Sequence, residues 1–129
     1  MSKIIIIGHG ELAVQALTTV EMIIEDQSPE QVAAIPFFAC DSLETLIGRL
    51  KNQIESFGEG DLIVFADVKG GSPCNAAQAL SKKYQFKLIC GFNLPVLLEA
   101  VISKDNLNNA EQLEELEIFG KNALKLMIK

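Results

Sequence analysis

Three short stretches carry the side chains that can do chemistry. Gly8-His9-Gly10 holds the only histidine of the 129 residues. Asp67-Val68-Lys69-Gly70-Gly71-Ser72 combines a carboxylate, a cation, two glycines and a hydroxyl, and Gly91-Phe92-Asn93 adds a further glycine turn. A neutral imidazole has one donor and one acceptor nitrogen. A carboxylate that accepts from the donor therefore fixes the tautomer and leaves the other nitrogen free as a nucleophile. Asp67 is the best-placed carboxylate for that task. The same loop hints at the electrophile: the amides of Gly70 and Gly71, the Ser72 hydroxyl and the positive end of a helix opening at Pro73 together suit a phosphoryl dianion. Lys69 is expected to face solvent or steer an anion, and Asn93 to shape the site or cap the helix that follows it.

Each piece also has an ordinary explanation. A lone histidine in a turn is usually a surface residue, an aspartate after a strand often caps a loop, and Gly-Gly-Ser-Pro is good turn and capping chemistry. The elements that hold the three stretches decide between these readings. Lys3 to Ile7 is a short β-branched run, the pattern of a strand buried on both faces, and Leu12, Ala16, Val20, Ile23 and Ile24 follow at helical spacing to about Glu25. Val32 to Phe38 reads as a second strand. Asp41 and Glu44 resemble a capping box opening a helix from Ser42 to about Phe57. "LIVFA", ending at Ala66, is a third strand, followed by a helix from about Pro73 to Lys83 with Ser72 as N-cap. "FKLIC" is a fourth, followed by a helix from near Leu94 and Pro95 to about Ile102. A final helix begins near Asn109, and "LKLMI" alternates in the manner of a short edge strand.

Four strand-helix units with strands about 30 residues apart imply right-handed crossovers and a parallel sheet. The expectation is an α/β, flavodoxin-like three-layer sandwich of strand order 2-1-3-4. Helices cover both faces, and a C-terminal antiparallel edge strand is a candidate addition. In that order the first and third strands are neighbours whose helices leave towards opposite faces, and a crevice opens above their carboxyl ends. His9 and Asp67 flank it, which favours the chemical reading over the ordinary one.

The totals remove several function classes. A chain of this length is expected to form one domain, residues 1–129, with one core. Its net charge of -6 would repel a phosphate backbone, which argues against nucleic acid as a partner. Cys40, Cys74 and Cys90 are odd in number and widely spaced. They read as small core residues in a reducing cytoplasm, not as a disulfide framework or a zinc pattern. No apolar run nears the roughly 18 to 20 residues that span a bilayer, and no signal-like stretch is expected. Gly8-His9-Gly10-Glu11-Leu12-Ala13 formally satisfies the G-x-G-x-x-G/A dinucleotide fingerprint. However, the acidic residue needed about 20 positions later falls before the second strand, and Glu11 would oppose a pyrophosphate. Ser72 lacks the G-x-S-x-G elbow, and a single histidine forms no H-x-x-x-H metal pair.

"IIIIGHGELA", "FADVKGGSPCNAA" and "CGFNLPVLLEA", in this order and spacing, make the chain resemble the enzyme IIA domains of the mannose class of the bacterial phosphoenolpyruvate-dependent sugar phosphotransferase system. The resemblance covers essentially the whole chain. It implies that His9 accepts a phosphoryl group on Nε2 from the phosphocarrier HPr and passes it to an enzyme IIB. The sugar is phosphorylated as it enters through the IIC/IID membrane permease. It implies that Asp67 orients His9 through Nδ1-H, and that Ser72 with nearby amides receives phosphoryl oxygens. It implies no metal or other cofactor, a cytoplasmic protein transiently associated with the permease complex, and a homodimer that exchanges C-terminal strands. Lys69 departs from the apolar or aromatic residue expected there. A related branch serves dihydroxyacetone kinase, but "GGSPCN" and "NLPVLLE" favour the sugar-transport branch.

Overall fold

Ile4, Ile5, Ile6 and Ile7 alternate in direction along the first strand, yet all four are fully buried. Ile5 and Ile7 enter one apolar cluster and Ile4 and Ile6 the other, so an unbroken apolar run here reports a strand covered on both faces. Truncating one of them to alanine would cost roughly 2–5 kcal/mol, the range for a large aliphatic side chain that leaves a cavity. The computed structural model describes residues 2–129.

The strands are β1 (Lys3–His9), β2 (Val32–Phe37), β3 (Leu62–Ala66) and β4 (Lys87–Cys90). They form one parallel sheet in the order β2-β1-β3-β4, as the spacing predicts. The helices are α1 (Leu12–Ile23), α2 (Leu43–Phe57), α3 (Ser72–Leu80), α4 (Leu94–Ile102) and α5 (Ala110–Asn122), with a short 3-10 turn at Lys104–Asn106. Leu46, Leu50 and Ile54 of α2 and Cys74, Ala77 and Leu80 of α3 pack on one face of the sheet. Ala13 and Val20 of α1, Val96, Leu97 and Ala100 of α4 and Leu116 of α5 pack on the other. The chain thus leaves β1 by one face through α1 and reaches β3 by the other through α2, which opens the crevice between β1 and β3.

Several boundaries differ from the sequence reading. β1 runs on through Gly8 to His9, because both residues stay in register with Pro36 and Phe37 of β2. Ser42, not Asp41, caps α2: its hydroxyl accepts from the Thr45 amide at 3.1 Å, while Asp41 turns back to bind the Phe38 amide at 2.8 Å. α3 begins one residue earlier than expected, at Ser72 with Gly71 in the cap position, and stops at Leu80. α5 begins beside Asn109, as expected, and Asn109 caps it. The segment 124–128 pairs with no strand in the single chain, so the sheet of the described residues ends at β4, and Leu124, Leu126, Met127 and Ile128 stand 76–87% exposed. Among the described residues, no helix is long and apolar enough to cross a membrane, and no cluster of His, Cys, Asp or Glu is placed to hold a metal.

Candidate active site

β1 and β3 are paired from Lys3–Leu62 to Ile7–Ala66, so His9 and Asp67 emerge side by side at their carboxyl ends. Asp67 Oδ2 accepts from the His9 backbone amide at 2.8 Å and lies 2.8 Å from His9 Nδ1, while Oδ1 accepts from the Val68 amide at 2.9 Å. A carboxylate can only accept, so the proton of the neutral ring is on Nδ1 and Nε2 carries the lone pair. The Asp67 side chain is 4% exposed and the His9 side chain 50%. The carboxylate is therefore fixed under the surface by three donors, and the far side of the imidazole faces outward.

The backbone around His9 is held as firmly as its ring. Gly10 takes φ +58°, a left-handed conformation suited to glycine, and hooks the chain back onto β2. There its amide donates to the Phe37 carbonyl at 2.6 Å and its carbonyl accepts from the Phe37 amide at 3.2 Å. The Phe37 ring stands 5.8 Å from the imidazole, edge to face, with 63° between the planes. On the opposite side, in the loop after β3, Gly71 closes in on the ring. A β-carbon there would sit 3.0 Å from Cε1 and 3.7 Å from Nε2 of His9, so only glycine leaves the imidazole its place.

Of the other residues singled out in the sequence, Gly70 and Ser72 sit with Gly71 at the start of α3, beside His9. Among the described residues the amides of Lys69, Gly70, Ser72 and Cys74 find no acceptor, as expected at a helix N-terminus that is open to an anion. The Gly71 amide differs from the expectation. It is spent on the Val68 carbonyl at 3.1 Å, because the earlier helix start makes this glycine the cap. The Ser72 hydroxyl, freed from capping, makes no hydrogen bond within the described residues. Lys69 is exposed and without an ion-pair partner among them. Asn93 is not part of the constellation: its Oδ1 accepts from the Val96 amide and its Nδ2 donates to the Gly120 carbonyl, both at 2.9 Å, so it caps α4 and ties it to α5.

Sequence reasoning missed Phe37 and Asn75. Asn75 Nδ2 donates to the Gly70 carbonyl at 3.3 Å and braces the loop from within α3. Phe37 reads in the sequence as one more apolar strand residue, and only the β1–β2 register brings it to His9. Cys74 is buried in the core, as expected, and Cys90 is half-buried against it. Cys40 departs from the expectation: it is exposed in the turn after β2. Burial pushes the Cys90 thiol up to about 12, with help from its hydrogen bond to Cys74.

This geometry has relatives. The pattern of the PTS system fructose IIA component family, EIIA-man, matches residues 3–117. The chain is 33% identical over 98% of its length to the PTS system mannose-specific EIIAB component of Escherichia coli (strain K12), and it spans 40% of that protein. It is 26% identical, over 98% of its length and 86% of the relative's, to the PTS system fructose-specific EIIA component of Bacillus subtilis (strain 168). The crystal structure of phosphotransferase system component EIIA from Streptococcus agalactiae superposes with a TM-score of 0.88 at 28% identity, over 98% of this chain and 97% of that one. The fold, the strand order and a family pattern spanning most of the chain agree: the chain belongs to the EIIA-man family of PTS IIA components.

Proposed function

We propose that His9 is a phosphoryl relay: Nε2 takes the group from the phosphohistidine of HPr and hands it to a separate enzyme IIB, so that a sugar is phosphorylated during uptake. The observation that carries this reading is the 2.8 Å contact from His9 Nδ1 to a buried carboxylate, which leaves Nε2 as the outward lone pair. In the forward step the Nε2–P bond forms as the donor N–P bond breaks, and the donor imidazole leaves with that electron pair. The Nδ1 proton stays on Asp67's side of the ring throughout, and the phosphoryl dianion is met by the free amides of Gly70 and Ser72, the Ser72 hydroxyl and the dipole of α3. Positioning and charge stabilisation supply most of such a catalyst, because phosphoryl transfer asks for little covalent chemistry from its surroundings. Neither a metal nor another cofactor has a part in it.

The partner face lies around the imidazole. Leu12, Phe38 and Val68, close in sequence to His9, Phe37 and Asp67, are exposed, and Lys69 adds a cation where an apolar or aromatic residue was expected. In the same reading the protein works as a homodimer in the cytoplasm beside a membrane permease. Support comes from the bare apolar segment 124–128 and from the unpaired edge of β4, which borders a groove of about 490 Å³ lined by Leu88, Cys90, Val96 and Leu113. The relay is tested by incubating the protein with phosphoenolpyruvate, enzyme I and HPr. One acid-labile phosphoryl group is expected, absent from His9→Ala and lost again on adding IIB. Phosphorylation that persists in His9→Ala would sink the assignment.

A further inference from the structure

Asp67 holds the imidazole at one atom. With Cβ and Cγ, the hydrogen-bonded Nδ1 defines the ring plane, but a hydrogen bond tolerates a spread of angles, so it leaves that plane loosely set, and an in-line attack by Nε2 needs it set closely. Gly71 bounds the ring at Cε1 but, lacking a side chain, grips nothing. A further contact is Phe37, whose ring meets the imidazole at 63° with centroids 5.8 Å apart, the favoured edge-to-face arrangement.

Phe37 is itself unusually well fixed for a residue at the end of a sheet-edge strand. Its amide and carbonyl are both bonded to Gly10. The residues on either side of it are tied to α2: Arg49 donates to the Pro36 carbonyl at 3.1 Å, and Asp41, held by Arg49 at 2.6 and 3.2 Å, accepts from the Phe38 amide at 2.8 Å. The Arg49 guanidinium also lies 5.7 Å from the centre of the Phe38 ring. A chain of polar contacts from α2 thus reaches the backbone on both sides of Phe37, whose ring packs against the imidazole.

We propose that Phe37 is a positioning residue for His9: its ring sets the plane of the imidazole and so aims Nε2 at the free amides of the α3 N-terminus. This rests on His9 being the phosphoryl acceptor. Misplacement of a reacting atom by about 1 Å can cost about 100-fold in rate, so Phe37→Leu, which keeps apolar bulk but loses the flat edge, should slow phosphorylation about 10- to 100-fold. The loss should fall on kcat with KM for phospho-HPr nearly unchanged. It should also appear with phosphoramidate, a small donor that needs no docking surface. Phe37→Tyr, which restores the ring, should recover most of the rate.

Native rates for Phe37→Leu with both donors would overturn the proposal. So would a loss confined to phospho-HPr, which would make Phe37 a docking contact, or a failure of Tyr to rescue. A measurement on the unsubstituted protein covers the case in which the leucine variant does not fold. Nuclear Overhauser contacts between the Phe37 and His9 rings, with the His9 ring as ordered as the backbone, are expected, and a freely turning His9 ring would end the idea. If native His9 takes no phosphoryl group from phospho-HPr, the relay itself fails, and the ring measurement still decides whether Phe37 fixes the imidazole.

Discussion

Asp41, in the loop after β2, and Asp67, at the end of β3, each accept three hydrogen bonds, at least one from a nearby backbone amide and at least one from a side chain of another element. The acceptor is the same in both places, and the difference lies in what it holds. Arg49 presents a guanidinium that has only donors and keeps its charge, so the pair can fasten a loop and nothing more. The Arg49 hydrogen bonds, then that of the Phe38 amide, hold the Asp41 carboxyl below the usual carboxylate range, and Asp41 in turn raises Arg49. His9 presents a ring with a second nitrogen left over once Nδ1 is bound. Three hydrogen bonds on a carboxylate therefore make a brace in one loop and, in the proposed relay, a directed nucleophile in the other, with Phe37 as the proposed link between them.

Removing the carboxylate from the reactive pair should have the largest effect. Asp67→Ala is expected to keep the fold and slow phosphoryl transfer by roughly 10- to 1000-fold, the range for losing an orienting or charge-stabilising group. Unchanged single-turnover rates would reduce Asp67 to a loop residue. Next comes Gly71→Ala, whose added carbon would meet His9 Cε1 at 3.0 Å. By displacing the ring it should cost about 10- to 100-fold in rate with the melting temperature little changed. Equal rates would show that the imidazole has room to move.

The brace should respond to pH instead. Because the folded-state pKa of Asp41 lies below its ordinary value of 3.8, the ionised pair stabilises the fold above that value, and the contribution is lost as pH falls through the folded pKa. Arg49→Ala should therefore melt at a lower temperature than the native protein near pH 7, and the two should converge in acid, as pH falls below the lowered folded-state pKa of Asp41. A difference that persists there would point to packing of the Arg49 stem, not charge. The effect should be modest and salt-sensitive, since the pair lies near the surface. The smallest contrast is chemical: iodoacetamide at neutral pH should alkylate Cys40 in the brace loop and spare Cys74 and Cys90 under the reactive loop. Mass mapping that finds Cys90 modified first would contradict a thiol raised to about 12.

The buried strands were legible because two covered faces demand unbroken apolar runs, and β3 begins and ends where its run does. The His9–Asp67 pair was legible for a related reason. Once the strand order follows from the alternation of elements, the ends of β1 and β3 must meet. What stayed hidden depended on choices between neighbours. Asp41 and Ser42 are equally good caps, and an arginine eight residues away decided which of them turned inward. Gly70 and Gly71 offer the same amide on paper, until a helix start shifted by one residue occupied the second. Phe37 could not be singled out, since an aromatic residue in a strand ordinarily means core, and its contact with His9 exists only through the strand register. The alternation of "LKLMI" is real, but a single chain supplies no strand for it to lie against.

β1 lies in the interior of the sheet, with β2 on one side and β3 on the other, and its last residue is His9, the proposed phosphoryl acceptor. In hydrogen-exchange terms, the amides of such a strand open only when the whole molecule does, unlike those of a surface loop that frays on its own. His9, as the last residue of that strand, is expected to keep its neighbours for as long as the sheet persists. As temperature rises, the capacity to carry a phosphoryl group should vanish together with the sheet, in one cooperative step and not ahead of it.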